Sequence, residues 1–175
     1  MFAYCFFCET QKCKSIARSL EQRGMTRSFS PQIIHRHRVK GKNIDGISDF
    51  LPGYVFAFSN EEIREFEPFY GIDGIIRKLG SIDNHYALDG PDYEFAMNLF
   101  QKNGVVGQVT VFRIGDEVVL DDPLFISCKG KITKIDYRKQ RARVDYQFSG
   151  MECYTWVACD MINAAKPQEA GETAV

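Results

Sequence analysis

Asp49-Phe50-Leu51-Pro52-Gly53-Tyr54-Val55-Phe56-Ala57-Phe58-Ser59 is the stretch that decides the fold. Pro52 and Gly53 spell a turn, because Pro fixes φ and Gly accepts positive φ. A strand follows directly. Its period of two places Tyr54, Phe56 and Phe58 on one face and Val55 and Ala57 on the other. Three aromatics are more than a small sheet usually spends on its own core, so a helix or a partner covers them. Composition alone favours the helix.

The surrounding chain has 175 residues, 45% hydrophobic and 26% charged, which describes a globular protein of one ordinary domain or two small ones. A net charge of −1 excludes a uniformly basic nucleic-acid coat but allows local patches. Met1–Cys8 is apolar, lacks a cationic start and stops after eight residues, so it reads as a buried strand and not as a signal peptide. No stretch approaches transmembrane length, and a cytoplasmic location is expected. Cys5, Cys8, Cys13, Cys128, Cys153 and Cys159 lie within apolar patterns, where a reduced Cys acts as a small hydrophobe. The spacing of Cys5, Cys8 and Cys13 hints at a metal. Cys5 and Cys8 would face opposite sides of a strand, however, and no metal or cofactor is expected.

Cys13, Ile16, Ala17 and Leu20 form the apolar stripe of an amphipathic helix, with Thr10 as N-cap and Gly24 as stop. Its polar side carries Lys12, Lys14 and Arg18, which alone would read as a solvated face. Gln32–Lys42 adds Arg36, Arg38, Lys40 and Lys42 with no acid. Arg36, Arg38 and Lys40 alternate with His35, His37 and Val39, and Gly41 marks a turn, so a basic hairpin arm is expected. Together with Lys12, Lys14 and Arg18 it suits phosphate contacts, against a plain role in solubility. Asn60 then caps an expected acidic helix over 61–67, and Ile72–Leu79 reads as a strand. A second helix follows Asp89-Gly90-Pro91, with Tyr93, Ala96, Met97 and Phe100 as its stripe and Gly104 as its end. This order is that of a ferredoxin-like α+β sandwich, with helices on one sheet face and the other free for a partner.

Composition shifts over 105–113, which is read as a linker. From Ile114 short strands with period two run through Val118, Leu120, Ile132, Ile135, Val144 and Tyr146, the pattern of a small β-barrel. The expected division is 1–104, a linker 105–113, a barrel 114–165 and a mobile tail 166–175. Within the barrel, Gly115-Asp116-Glu117-Val118-Val119-Leu120 followed by Gly130-Lys131-Ile132-Thr133 resembles a KOW motif, its glycine matching Gly130.

With both halves in view, the chain resembles the NusG family of transcription elongation factors over nearly its whole length. The first strand with its helix, the Pro52-Gly53-Tyr54-Val55-Phe56 stretch and the Gly-Asp-x-Val…Gly-x-Ile pattern occur in the family's order and spacing. Arg38-Val39-Lys40-Gly41-Lys42 and Leu51–Phe56 look closer to the specialised antitermination paralogues of the LoaP and RfaH type. The resemblance implies an N-terminal NGN domain followed by an SH3-like KOW barrel. It also implies that Phe7, Pro52, Tyr54 and Phe56 bind the clamp helices of the largest RNA polymerase subunit, which turns the reading of the aromatic face from a covering helix to a partner. Two departures stand out. Asp122-Pro123-Leu124 replaces the usual Gly-Pro turn, and Ser149 precedes Gly150 where housekeeping members place an aromatic that engages Rho and a ribosomal protein. Rho and ribosomal contacts are therefore doubtful, and Phe148 is expected to face the other way.

The leading expectation is a monomeric, non-enzymatic antitermination factor, recruited by an RNA hairpin or by non-template DNA, with the hairpin preferred. The alternative is a free-standing RNA-binding module of ribosomal KOW type, kept open by the basic run from Lys129 to Arg143. No convergent Ser/His/Asp set, carboxylate pair or phosphate-binding Gly loop points to an enzyme.

Overall fold

The computed structural model describes residues 1–66, 69–80, 86–114 and 117–163. The expected tail, 166–175, lies outside them. The N-terminal half is built on a four-stranded antiparallel sheet in the order β2-β5-β1-β6, comprising β1 (Phe2–Cys8), β2 (Arg27–Phe29), β5 (Tyr54–Ser59) and β6 (Ile75–Leu79). The period of two holds. Tyr4, Phe6, Val55 and Ala57 fall on one face with Cys8; Ala3, Cys5, Phe56 and Phe58 fall on the other.

Helices flank both faces, not one. Helix α1 (Cys13–Gln22) buries Cys13, Ile16, Ala17 and Leu20 against the first face. A 3₁₀ turn, Thr10–Lys12, precedes it, and no side chain caps it, so Thr10 is not its N-cap. Helix α2 (Gly90–Gln101) lies on the second face. Its most buried residues are Phe95, Ala96 and Leu99, while Tyr93, Met97 and Phe100 are only partly covered. The apolar stripe is wider than the sequence suggests because α2 is covered on two sides. Gly104 turns the chain out of α2 at φ 75, and a Cβ there would stand 2.7 Å from the Phe29 ring.

Two expected elements differ. Residues 61–66 are irregular and not helical. The Ile63 amide donates to the Tyr4 hydroxyl at 2.7 Å, and Phe66 inserts beside Tyr4, Phe6 and Tyr86. Tertiary anchoring of one aromatic outweighs the helix propensity of the glutamates. The strand expected from Ile72 begins at Ile75, because Gly74 turns at φ 93 and its carbonyl accepts the Glu9 amide.

The basic segment forms a hairpin of β3 (Gln32–Val39) and β4 (Lys42–Asp49), joined through Lys40 and Gly41, both at positive φ. β7 (Val105–Val106) pairs with β3 in parallel. The C-terminal half is a nearly closed small barrel in the order β10-β11-β12-β8-β9. Its strands are β8 (Val109–Ile114), β9 (Glu117–Leu120), β10 (Lys131–Asp136), β11 (Arg141–Phe148) and β12 (Met151–Asn163). Asp122 caps the short helix α3 (Pro123–Ser127), its carboxylate accepting the Leu124 amide at 3.0 Å. Among the described residues, no helix is long and apolar enough to cross a membrane.

Candidate functional site

Phe7 and Tyr54 are cross-strand partners with ring centroids 5.2 Å apart. The Pro52-Gly53 turn sets that register. The Cys8 amide donates to the Gly53 carbonyl at 2.7 Å, and the Tyr54 amide to the Leu51 carbonyl at 3.1 Å. Gly53 sits at φ 86, where a Cβ would press on the Cys8 carbonyl and the Phe7 ring at 3.2 Å. Pro52 is exposed, Phe7 and Tyr54 are half-buried, and Phe56 is fully buried.

What covers this aromatic face is partly α2 and partly the chain's own barrel. Phe148, at the end of β11, packs 5.5 Å from Phe56, 6.0 Å from Tyr54 and 5.0 Å from Phe95. Tyr146 stacks on Phe50 at 5.5 Å and on Phe95 at 6.2 Å, and Phe125 closes the cluster against Phe50 and Tyr146. Burial pushes the Tyr146 hydroxyl far above its ordinary range. The rim of this seam is polar. Lys102 at the end of α2 pairs with Asp122 at 3.0 Å, Asn98 donates to the Pro123 carbonyl at 3.1 Å, and Asp92 accepts the Ser149 amide at 2.9 Å. An apolar centre inside a polar rim is the anatomy of a protein–protein interface.

The hairpin closes the seam on a second side. Arg36 is buried, forms a forked pair with Asp45 at 2.6 and 3.0 Å, and reaches Gln140 at 3.2 Å and Gln108 at 3.1 Å. That fork holds the Asp45 carboxyl below its usual range. Arg38 donates to the Arg138 carbonyl at 3.2 Å. Lys40 and Lys42 are exposed at the hairpin tip. On α1, Lys14 and Arg18 are exposed, whereas Lys12 bridges Glu9 at 3.0 Å and Asp73 at 2.7 Å. The seven basic positions thus fall into two groups, α1 and the hairpin, and Arg36 is spent on the seam.

Ser149 stands in the β11–β12 turn at φ 49, its amide directed to α2. Burial pushes the Cys8 and Cys128 thiols up to about 12 and the Cys159 thiol to about 11, so none is a ready thiolate at neutral pH. Sequence reasoning missed Phe148, Tyr146, Phe95 and the Lys102–Asp122 pair. One signal was available. Ala142, Val144, Tyr146 and Phe148 alternate along β11, and the two rings at one end exceed what a small barrel can seat inside itself.

Comparison with protein families matches residues 4–94 to the model described as NusG, transcription termination factor nusG. The matched span includes Phe7, Pro52, Tyr54 and Phe56. Comparison with curated proteins finds no match. Among solved structures, NusG of Thermotoga maritima, titled "Domain interaction in Thermotoga maritima NusG", is similar in fold at a TM-score of 0.53 and 15% identity. That match covers 89% of this chain and 92% of the other. The family match spans just over half of the 175 residues and includes the aromatic face, and on that ground the chain belongs to the NusG family of transcription factors.

Proposed function

We propose that this chain is a cytoplasmic elongation and antitermination factor that binds the clamp helices of bacterial RNA polymerase through Phe7, Pro52, Tyr54 and Phe56. The observation that carries the reading is the seam. The face that the family resemblance assigns to polymerase is an aromatic surface able to hold a protein module, and here it holds the barrel. Polymerase and barrel therefore compete for one surface, and the chain binds after the barrel swings away. Exposed Lys14, Arg18, Lys40 and Lys42 then lie beside the bound polymerase to contact nucleic acid. Keeping the clamp closed requires no chemistry from this chain, in line with the non-enzymatic role that the family implies.

The test is binding of the full-length protein to core polymerase and to core polymerase lacking the clamp helices. Binding to the first and its loss with the second is the expected result. Equal binding to both refutes the assignment.

A further inference from the structure

His35 and His37 alternate with Arg36 on β3, so they share the face opposite the one on which Arg36 meets Asp45. Across the hairpin they are paired with Gly46 and Ile44. Arg36 and Arg38 make the barrel contacts, whereas Val39 and Ile44, on the histidine side, are exposed. Side chains at i and i+2 leave a strand about 6.7 Å apart, yet the two imidazole centroids are 5.5 Å apart, with their planes at 28°. The rings lean together because the residue opposite His35 is a glycine. A Cβ at Gly46 would stand 3.0 Å from Cε1 and 3.1 Å from Nε2 of His35, and 3.6 Å from Cε1 of His37. Both rings fold into the space that Gly46 leaves. Their Nδ1 atoms are buried and have no hydrogen-bond partner, a costly state for a polar nitrogen. Among the described residues three side-chain atoms are in that state, and two of them are these neighbours.

We infer that His35 and His37 chelate a borderline divalent transition-metal ion, such as zinc, through their Nδ1 atoms. Two neighbouring nitrogens without a donor suit a cation that takes a lone pair from each, and each Nε2 then carries the proton. Zinc–nitrogen bonds of about 2.1 Å at a tetrahedral angle set two imidazole centroids roughly 5.2 Å apart. The 5.5 Å separation of these rings is close to that. Imidazole selects zinc, nickel or copper over magnesium and calcium, which prefer oxygen. Among the described residues no cysteine or carboxylate completes a set of three ligands with the pair. Asp45 belongs to the other face, where Arg36 holds it. The ion is therefore exchangeable and not a structural one, with its other positions open to water or to an outside donor. The aromatic face and the seam take no part, so the site does not depend on the polymerase reading.

The experiment is a zinc titration of the full-length protein carrying no polyhistidine tag, followed by calorimetry and by imidazole nitrogen-15 spectra. The parent binds zinc, the Nδ1 resonances of His35 and His37 shift together, and excess magnesium does not compete. His35→Gln and His37→Gln each lower the affinity roughly tenfold or more, because chelation by a pair becomes contact with one ring. Gly46→Ala keeps both donors but crowds the His35 ring, and it lowers the affinity as well. Circular dichroism confirms that each variant is folded. Absence of binding by the parent, or parent-like binding by either histidine variant, overturns the site. Zinc that shifts cysteine signals in place of the two imidazoles overturns it too. Parent-like binding by Gly46→Ala overturns the part assigned to the glycine.

Discussion

Tyr54 and Phe56 stand two residues apart on one strand face, yet their truncations are expected to report different things. Phe56 is fully buried among Phe29, Phe95 and Phe148, so Phe56→Ala leaves a cavity whether or not a partner is bound. A loss of about 3–5 kcal/mol in stability follows, and any loss of binding is confounded with unfolding. Tyr54 is half-buried at the edge of the seam, and its hydroxyl donates to the Met151 sulfur at 3.8 Å. Tyr54→Ala should leave a cooperative thermal transition and still weaken polymerase binding by about 2 kcal/mol, roughly thirtyfold, the scale of an aromatic hot spot. Unchanged affinity in a folded Tyr54→Ala protein would remove this residue from the contact. At Ser149 the hydroxyl offers little apolar area and the amide is engaged with Asp92. Rho is therefore expected to bind weakly in titration, and Ser149→Phe to increase that binding. Tight binding by the parent would contradict this.

At the scale of elements, α2 and the β3–β4 hairpin are the two docking surfaces for the barrel. The hairpin reaches the barrel through Arg36, and the Arg36–Asp45 pair across β3 and β4 that orients this guanidinium answers to pH. Arg36 depresses the Asp45 carboxyl, so this pair contributes stability above the unfolded carboxylate value of about 3.9 and loses it as pH falls through the lower folded value. Protection of the β3 and β4 amides, taken relative to the intrinsic exchange rate at each pH, should fall below about pH 4, while that of α1 holds. A uniform loss of protection along the chain would show that the pair is not local. The hairpin itself was legible in the sequence, through alternating cations and the Lys40-Gly41 turn, and so were α1, the aromatic strand and the barrel strands. Its docking was not legible. Gln108 and Gln140, which hold Arg36, lie 72 and 104 residues away, and no local pattern encodes a polar contact at that separation. The acidic segment after Asn60 misled for a related reason, since propensity is local and Phe66 answers to Tyr4 and Phe6.

At the scale of the whole molecule, period-two patterning identified which rings share a face, and the family resemblance supplied a partner for them. Neither named the covering partner as part of the same chain, because the two rings at one end of β11, Tyr146 and Phe148, mark an aromatic surface without saying what it meets. The closed arrangement keeps a barrel of strands docked on α2, in accord with the many β-branched and aromatic residues of β10 to β12. A protein whose binding face is occluded most of the time binds with an affinity reduced by the open fraction, and weakening the seam removes that reduction.

Lys102→Asp is suited to this purpose, because it sets a second carboxylate against the buried Asp122 while leaving the α3 cap and the aromatic face unchanged. The decisive measurement is the affinity of this full-length variant for core RNA polymerase beside that of the parent. A seam weakened by about 1.4 kcal/mol predicts roughly tenfold tighter binding by the variant. Equal or weaker binding by a folded Lys102→Asp protein would contradict the claim that barrel and polymerase compete for one face.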